Sequence, residues 1–133
     1  DTGSLTEGTQ YQVRVYANDS LNQWNMSLLR TFTVVNTEIT FSSAVNGSPN
    51  FRRYENFTAN ITITDADGEL NYSIFSTNNS GSWVNDSLVL ISGGTYSANS
   101  SKNISLVQGN NVCWRYYAND TAGNLGLNDS FVV

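Results

Sequence analysis

The sequence predicts an all-β protein: a two-sheet sandwich of about seven strands in residues 37–133, preceded by two strands of a second copy in residues 1–36. Three observations predict it: a segment that occurs twice, period-two alternation of apolar and polar side chains, and clusters of turn residues between the alternating segments. No stretch of the 133 residues has the apolar spacing and capping residues of an amphipathic helix.

The repeat relates residues 5–19 to residues 106–120 at a constant offset of 101. Leu, Gly, Arg, Tyr, Ala, Asn and Asp match in place, and both copies continue through a polar turn into a short apolar strand. A repeat of about 100 residues has the length of one immunoglobulin-like sandwich. We therefore expect residues 1–36 to be the C-terminal strands of a preceding repeat and residues 37–133 to be a complete domain.

The two strands in residues 1–36 cannot bury an apolar face by themselves, because an isolated hairpin is at best marginally stable in water. Either the polypeptide contains the rest of that domain upstream, which we favour, or these strands complete a neighbouring subunit by strand addition. The junction at residues 34–41 contains neither Gly nor Pro. Consecutive domains are therefore expected to be stiffly coupled.

Alternation predicts which side chains face the core, because successive residues of a strand point to opposite faces. The predicted inward residues are Tyr11, Val13, Val15 and Ala17; Phe57, Ala59, Ile61 and Ile63; Leu70, Tyr72 and Ile74; Tyr96, Ala98, Ile104 and Leu106; and Val112, Trp114, Tyr116 and Ala118. Shorter strands are predicted at residues 38–41, 83–84 and 88–91, with turns at residues 46–49, 65–68, 78–81 and 93–94.

Two motifs resemble known repeat domains. The region that leads into the sixth strand of a fibronectin type III domain is similar to Leu5-x-x-Gly-Thr-x-Tyr-x-Val-x-Val-x-Ala17. Bacterial and archaeal surface immunoglobulin-like repeats have a hairpin similar to Ala118-Asn-Asp-Thr-Ala-Gly-Asn124. The resemblance implies that Tyr11 is a corner tyrosine whose hydroxyl bonds to the preceding loop, with Val112 at the equivalent place in the second copy.

Composition excludes several classes of partner. Six Lys and Arg against eleven Asp and Glu give a net charge of −5, so we expect no nucleic-acid binding. No apolar run approaches the roughly 20 residues of a membrane-spanning helix, so we expect no membrane insertion within this segment. Cys113 is the only cysteine, and an internal disulfide is therefore excluded.

Asparagine sequons are unusually dense. Twelve asparagines begin an Asn-x-Ser/Thr acceptor sequence, about three times the number expected from the composition. They are Asn18, Asn25, Asn46, Asn56, Asn60, Asn71, Asn78, Asn85, Asn99, Asn103, Asn119 and Asn128. Asn46 is the weaker candidate because Pro49 follows closely, whereas Asn60, Asn71, Asn103 and Asn119 are predicted to point outward, where a glycan would be solvated.

Metal binding and catalysis have little support. Asp65, Asp67 and Glu69 place hard oxygen ligands at alternate positions, as at the start of a calcium loop. No downstream acidic residue completes a twelve-residue loop, and the Asp-Gly pair is typical of a hairpin turn, which we favour. The sequence has no histidine, so histidine-dependent triads and metal sites are excluded within the chain. We expect no enzymatic activity, and no cofactor apart from covalent N-linked glycans.

Cys113 and four aromatic residues are further candidates for contacts. Cys113 is expected to face away from the core as a tolerated small residue, the reading we favour over a reactive or intermolecular thiol. An exposed aromatic platform for sugar stacking or subunit contact could contain Tyr16, Tyr117, Trp24 and Trp83, although a core position is favoured for Trp83.

These features favour a structural repeat unit of an N-glycosylated extracellular filament, stalk or surface-layer-type protein of an archaeal cell. We expect it to self-associate with identical subunits or adjacent repeats, through domain stacking or strand addition. One alternative is an adhesin-type module that recognises a protein or glycan through loops such as residues 78–83. Another is an accessory domain of a secreted enzyme.

Overall fold

The computed structural model describes residues 5–6, 8–35, 37–46, 52–105, 109–129 and 131–132. Within these ranges every regular element is a β-strand, and none of the residues lies in a helix able to span a membrane. The chain divides into two compact units, residues 1–36 and residues 37–133, and each is described by itself.

The first unit contains four short strands in its described residues: β1 (Gln10–Val13), β2 (Tyr16–Asn18), β3 (Trp24–Met26) and β4 (Arg30–Thr33). Strand β1 pairs with β4 and β2 with β3, both antiparallel. The two arms of one hairpin are thus each interrupted once. The interruption follows from Ser27, whose hydroxyl accepts the Val15 N–H at 3.0 Å and so replaces a ladder hydrogen bond.

The second unit contains nine described strands: β5 (Thr40–Asn46), β6 (Asn56–Thr64), β7 (Leu70–Thr77), β8 (Val84–Asn85), β9 (Val89–Leu90), β10 (Thr95–Asn103), β11 (Cys113–Asp120), β12 (Leu125–Leu127) and β13 (Phe131–Val132). Strands β8 and β9 both pair with β7, and β12 and β13 both pair with β11. Counting each interrupted arm once gives the predicted seven strands.

These strands form two antiparallel sheets. One has the order β10-β6-β5, and the other has the order β12-β11-β7-β8, with β9 and β13 added to β7 and β11. The core between them includes Phe57, Ala59, Ile61 and Ile63 of β6 and Trp114, Tyr116 and Ala118 of β11. The predicted all-β, two-sheet sandwich is therefore confirmed.

Aromatic rings fill the centre of the sandwich. The ring centroids of Phe75 and Tyr116 lie 5.1 Å apart, and those of Trp114 and Tyr116 lie 5.9 Å apart, both in edge-to-face geometry. Phe131 adds a contact at 4.8 Å from the Trp114 ring. Each such pair contributes about 0.5–1.5 kcal/mol beyond the burial of its surface.

The prediction of which β7 side chains face the core is correct for Leu70 and wrong for the residues after it. Leu70 is buried as expected, but Ser73 and Phe75 point inward, while Tyr72 and Ile74 are only half-buried on the outer face. The cause is a shift of register against β11: Asp120 pairs with Leu70 and Asn119 with Tyr72. The extra residue is Asn71, and an extra residue exchanges the two faces of a strand.

The two copies of the repeat have the same backbone pairing, displaced by 101 residues. The pairs Tyr16–Met26, Ala17–Asn25 and Asn18–Trp24 correspond to Tyr117–Leu127, Ala118–Gly126 and Asn119–Leu125. The turns of the two hairpins also correspond, since Asn22 and Gly123 occupy equivalent positions and both have a positive φ, 61° and 95°. Glycine adopts this left-handed backbone conformation freely and asparagine tolerates it.

Gly126 is required by close packing at the inner face of β12. A Cβ at this position would lie 3.0 Å from both the Ile39 Cβ and the Phe41 Cε2. We predict that Gly126→Ala lowers the free energy of unfolding by about 1–3 kcal/mol because the neighbours must shift. Chemical denaturation would measure this, with exposed Leu125→Ala as the control. Equal stability of the two variants would contradict the packing constraint.

Candidate functional site

The outer face of the β6–β10 pair brings four sequons together. Asn60 lies directly opposite Asn99, and Asn56 lies directly opposite Asn103. Positions i and i+2 of a strand share a face, so the Thr or Ser of a sequon within a strand lies beside its asparagine. This surface, called here the sequon face, contains only polar side chains along both strands: Asn56, Thr58, Asn60, Thr62, Thr64, Thr95, Ser97, Asn99, Ser101 and Asn103.

Hydrogen bonds join the facing asparagines. The Asn99 Nδ2 donates to the Asn60 Oδ1 at 2.6 Å. The Asn103 Nδ2 donates to the Asn56 Oδ1 at 3.3 Å and to the Tyr54 carbonyl oxygen at 2.5 Å. The sequence did not predict these pairs, because the register between β6 and β10 depends on how the 34 residues between Asn60 and Thr95 fold back.

The sequon asparagines differ in their exposure. Exposed side chains are those of Asn18, Asn25, Asn56, Asn85, Asn99 and Asn103; half-buried ones are those of Asn60, Asn71, Asn78 and Asn119. The Asn46 side chain lies outside the described residues. Asn119 lies on the outer parity of β11, as predicted, with its Oδ1 shielded from solvent. Asn71, also predicted to point outward, is half-buried at the register shift of β7.

Asn128 is the most buried of the described sequon asparagines, with only 6% of its surface exposed, which argues against a glycan at this position. Its Oδ1 accepts the Tyr116 N–H, and its Nδ2 donates to the Asp129 carbonyl oxygen. Glycans attach at the asparagine side-chain nitrogen, which in Asn128 is engaged by the Asp129 carbonyl oxygen. Between β12 and β13, the Asn128 side chain accepts a hydrogen bond from β11 in place of a backbone carbonyl. The Ser27 hydroxyl does the same at the equivalent position of the first unit.

The Asp65 carboxylate holds a turn together. Its Oδ1 accepts the Asp67 N–H at 3.0 Å and its Oδ2 accepts the Glu69 N–H at 2.9 Å. Thr37 joins the cluster, because its N–H donates to the Asp67 Oδ2 at 2.6 Å and its hydroxyl donates to both carboxylates. No group of three metal-ligating residues occurs in the described parts of the chain. These contacts form a turn, as predicted, but not a hairpin turn, because the strands that it joins, β6 and β7, belong to different sheets.

A cation–aromatic cluster lies on the outer face of the other sheet. The Arg115 guanidinium lies 4.1 Å from the Trp83 ring centroid and 5.0 Å from the Tyr117 ring centroid. Trp83 is 40% exposed, so the core position favoured from the sequence is wrong. The stacking with Arg115 explains the difference, since an arginine can cover an indole without burying it in the core. Tyr16 and Trp24 are exposed in the first unit.

A cleft of about 410 Å³ opens between the two sheets beside β10. At its mouth the Lys102 Nζ lies 2.7 Å from the Asp86 Oδ1, and both side chains are about one-third exposed. Deeper inside, the Tyr116 hydroxyl donates to the Ser100 Oγ at 2.8 Å. Burial raises the pKa of Tyr116 to about 12. The cleft thus has a polar, ion-paired mouth above an aromatic floor.

Cys113 is half-buried and forms no disulfide within the chain. It lies opposite Val132, on the outer parity of β11, as predicted. Its backbone is fixed on both sides: its N–H donates to the Asn78 Oδ1 at 2.6 Å, and its carbonyl oxygen accepts the Thr77 hydroxyl at 2.8 Å. The Asn78 side chain therefore bonds to the backbone of the segment that leads into β11, since its Nδ2 also donates to the Asn111 carbonyl oxygen.

The first unit presents an uncovered apolar face. Val13 is 48% exposed and Val15 is 65% exposed, whereas their equivalents in the second unit, Trp114 and Tyr116, are 0% and 3% exposed. Asn25 shares this face, since it pairs with Ala17. Within the described part of the first unit, no strand packs over these residues.

Tyr11 makes the contact that the resemblance implied. The Thr6 N–H donates to the Tyr11 hydroxyl oxygen at 2.7 Å, and the Tyr11 ring stacks on Phe32 at 5.8 Å. This hydrogen bond lowers the pKa of Tyr11. The equivalent of Tyr11 in the second unit is Val112, which is buried.

No protein-family model matches the chain, and the curated proteins contain no significant match to it.

The raised pKa of Tyr116 predicts a loss of stability in alkali. The folded state keeps the proton that the unfolded state releases near pH 10, so stability is present below that pH and is lost as the pH rises towards 12. We expect Tyr116→Phe to flatten this part of the stability profile, measured by denaturation at pH 9 to 12. Tyr117→Phe is the control, and an unchanged slope in Tyr116→Phe would contradict the assignment.

Proposed function

We propose that this chain is a structural repeat unit of an N-glycosylated extracellular filament, stalk or surface-layer-type protein of an archaeal cell. In this proposal the domain is immunoglobulin-like and non-catalytic, and its partners are identical subunits or adjacent repeats. The supporting observation is a hairpin that occurs twice, with the same strand pairing, at an offset of 101 residues. Its inner side chains are buried in the second unit and exposed in the first.

The uncovered face supports assembly through completion of the first unit. In the second unit, the residues equivalent to Val13, Val15 and Ala17 pack against the inner face of β5, β6 and β10. An apolar sheet face in water is unfavourable by about 25 cal/mol for each Å² left exposed. A second sheet with a similar aliphatic inner face would remove this cost and give a chain of stacked sandwiches.

The sequon face supports the glycosylated and extracellular part of the proposal. Its polar side chains leave Asn56 and Asn99 exposed beside Thr58 and Ser101, the hydroxyl residues of their sequons. Strand β10 is the edge of its sheet, and edge strands invite unwanted pairing with other chains. Glycans beside β10 would shield this edge and hinder proteolysis.

Electron microscopy of the native material tests the proposal. We expect an ordered array with an axial repeat set by one sandwich per 101 residues, and extra density on exposed sequon asparagines such as Asn56. Asn25 and Asn128 should lack such density, because each lies on a face that the sandwich buries or would bury. Isolated particles without sugar density would contradict the proposal.

A charge on the uncovered face should block assembly without unfolding the complete sandwich. We predict that Val15→Asp in the native protein shortens or abolishes the assembled array, since a buried unpaired carboxylate is costly. The readout is mass by light scattering together with circular dichroism. Gln12→Asp, on the opposite face of the same arm, is the matched control. Normal assembly of Val15→Asp would argue against completion through this face.

The cation–aromatic cluster favours a second candidate function, a binding module that recognises a protein or glycan. Trp83, Arg115 and Tyr117 form an accessible stacked surface, and aromatic faces of this kind bind sugars and peptides. Tryptophan fluorescence of the chain titrated with oligosaccharides tests it, with Trp83→Ala as the comparison. A saturable signal that Trp83→Ala removes would support this function over the structural one.

A further inference from the structure

We propose that each facing pair of asparagines on the sequon face holds at most one N-linked glycan, so that four sequons provide two modification sites. The pairs are Asn60 with Asn99 and Asn56 with Asn103. This inference rests on the proposed function, because it specifies where an N-glycosylated repeat takes its glycans.

Distances across and along the strands differ enough to impose this limit. Directly opposite residues of an antiparallel pair have Cβ atoms only about 4.5–5.5 Å apart. Asparagines four positions apart on one strand, such as Asn56 and Asn60, are separated by about 13 Å. A bulky glycan on one member of a facing pair therefore occupies the space above the other, whereas glycans from different pairs have room side by side.

The hydrogen bonds within each pair also favour a single glycan per pair. A glycan is joined to the Nδ2 atom, and this atom of Asn99 is directed at the Asn60 Oδ1, 2.6 Å away. Both hydrogens of the Asn103 Nδ2 are engaged, one by the Tyr54 carbonyl oxygen and one by the Asn56 Oδ1. Both side chains are exposed, but Asn103 is the donor of this pair and Asn56 accepts through its oxygen, so the geometry assigns the glycan to Asn56 and leaves Asn103 as a positioning partner.

The other neighbour of Asn60 does not compete. On the side away from β10, Asn60 lies opposite Val45 of β5, which has no acceptor function. The hydroxyl residues of the two competing sequons, Thr62 and Ser101, lie on the sequon face with their asparagines. Either member of the Asn60–Asn99 pair can therefore be modified when the other is not.

Intact mass spectrometry of the full chain purified from its native cells tests the limit. Asn60→Gln and Asn99→Gln should each leave the number of attached glycans unchanged, because the remaining asparagine takes the glycan. The double variant should lose one glycan. Asn103→Gln should lose none, and Asn56→Gln should lose the glycan assigned to that pair. Thermal unfolding by circular dichroism checks that every variant folds.

The paired variant Thr62→Ala with Ser101→Ala removes both sequons and keeps the asparagines, so it should also lose one glycan. Loss of one glycan from each single variant and of two from the double variant would mean that both members are modified together, and would overturn the limit. An unchanged count in the double variant would also overturn it while leaving glycosylation elsewhere intact. A wild-type chain without any glycan would overturn the proposed function and this inference with it.

Discussion

Strand β6 alternates polar and apolar residues over its nine positions, and the two faces of the sandwich depend on this alternation. Phe57, Ala59, Ile61 and Ile63 enter the core, while Asn56 and Asn60 remain on the outer surface. Because a strand has a period of two, a slip by one residue would bury the asparagines and expose the aliphatic side chains. The same constraint therefore fixes the core and the positions available for modification.

The first unit contains the equivalent hairpin, but its described residues include no second sheet that covers the apolar face. Strand β11 meets β6 across the core, and its Trp114 and Tyr116 are buried there. The equivalent arm of the first unit has the same pairing register and the same turn geometry, yet its apolar side chains remain exposed. The hairpin register is thus the same in both copies, whereas burial of its apolar face requires a second sheet.

Sequence patterns predicted the parts of the structure that depend on local chemistry. The alternation of β6 and β11 and the turn at Asp65 follow from neighbouring residues, whereas the hydrogen bond of Tyr11 was implied by the resemblance of residues 5–17 to a known repeat domain. The register shift at Asn71 and the interruption at Asn128 could not be predicted, since each depends on which residue of β11 lies opposite. The stacking of Trp83 on Arg115 joins segments far apart in sequence and left no local signal.

We propose that the apolar face of the first unit belongs in a core and that assembly buries it. Hydrogen–deuterium exchange of the 133-residue chain, compared with the native assembled material, tests this most directly. We predict that amides of β6 and β11 are protected in both samples, whereas those of β1 to β4 exchange rapidly in the chain alone and become protected on assembly. Equal protection of β2 and β11 in the isolated chain, or no gain on assembly, would contradict it.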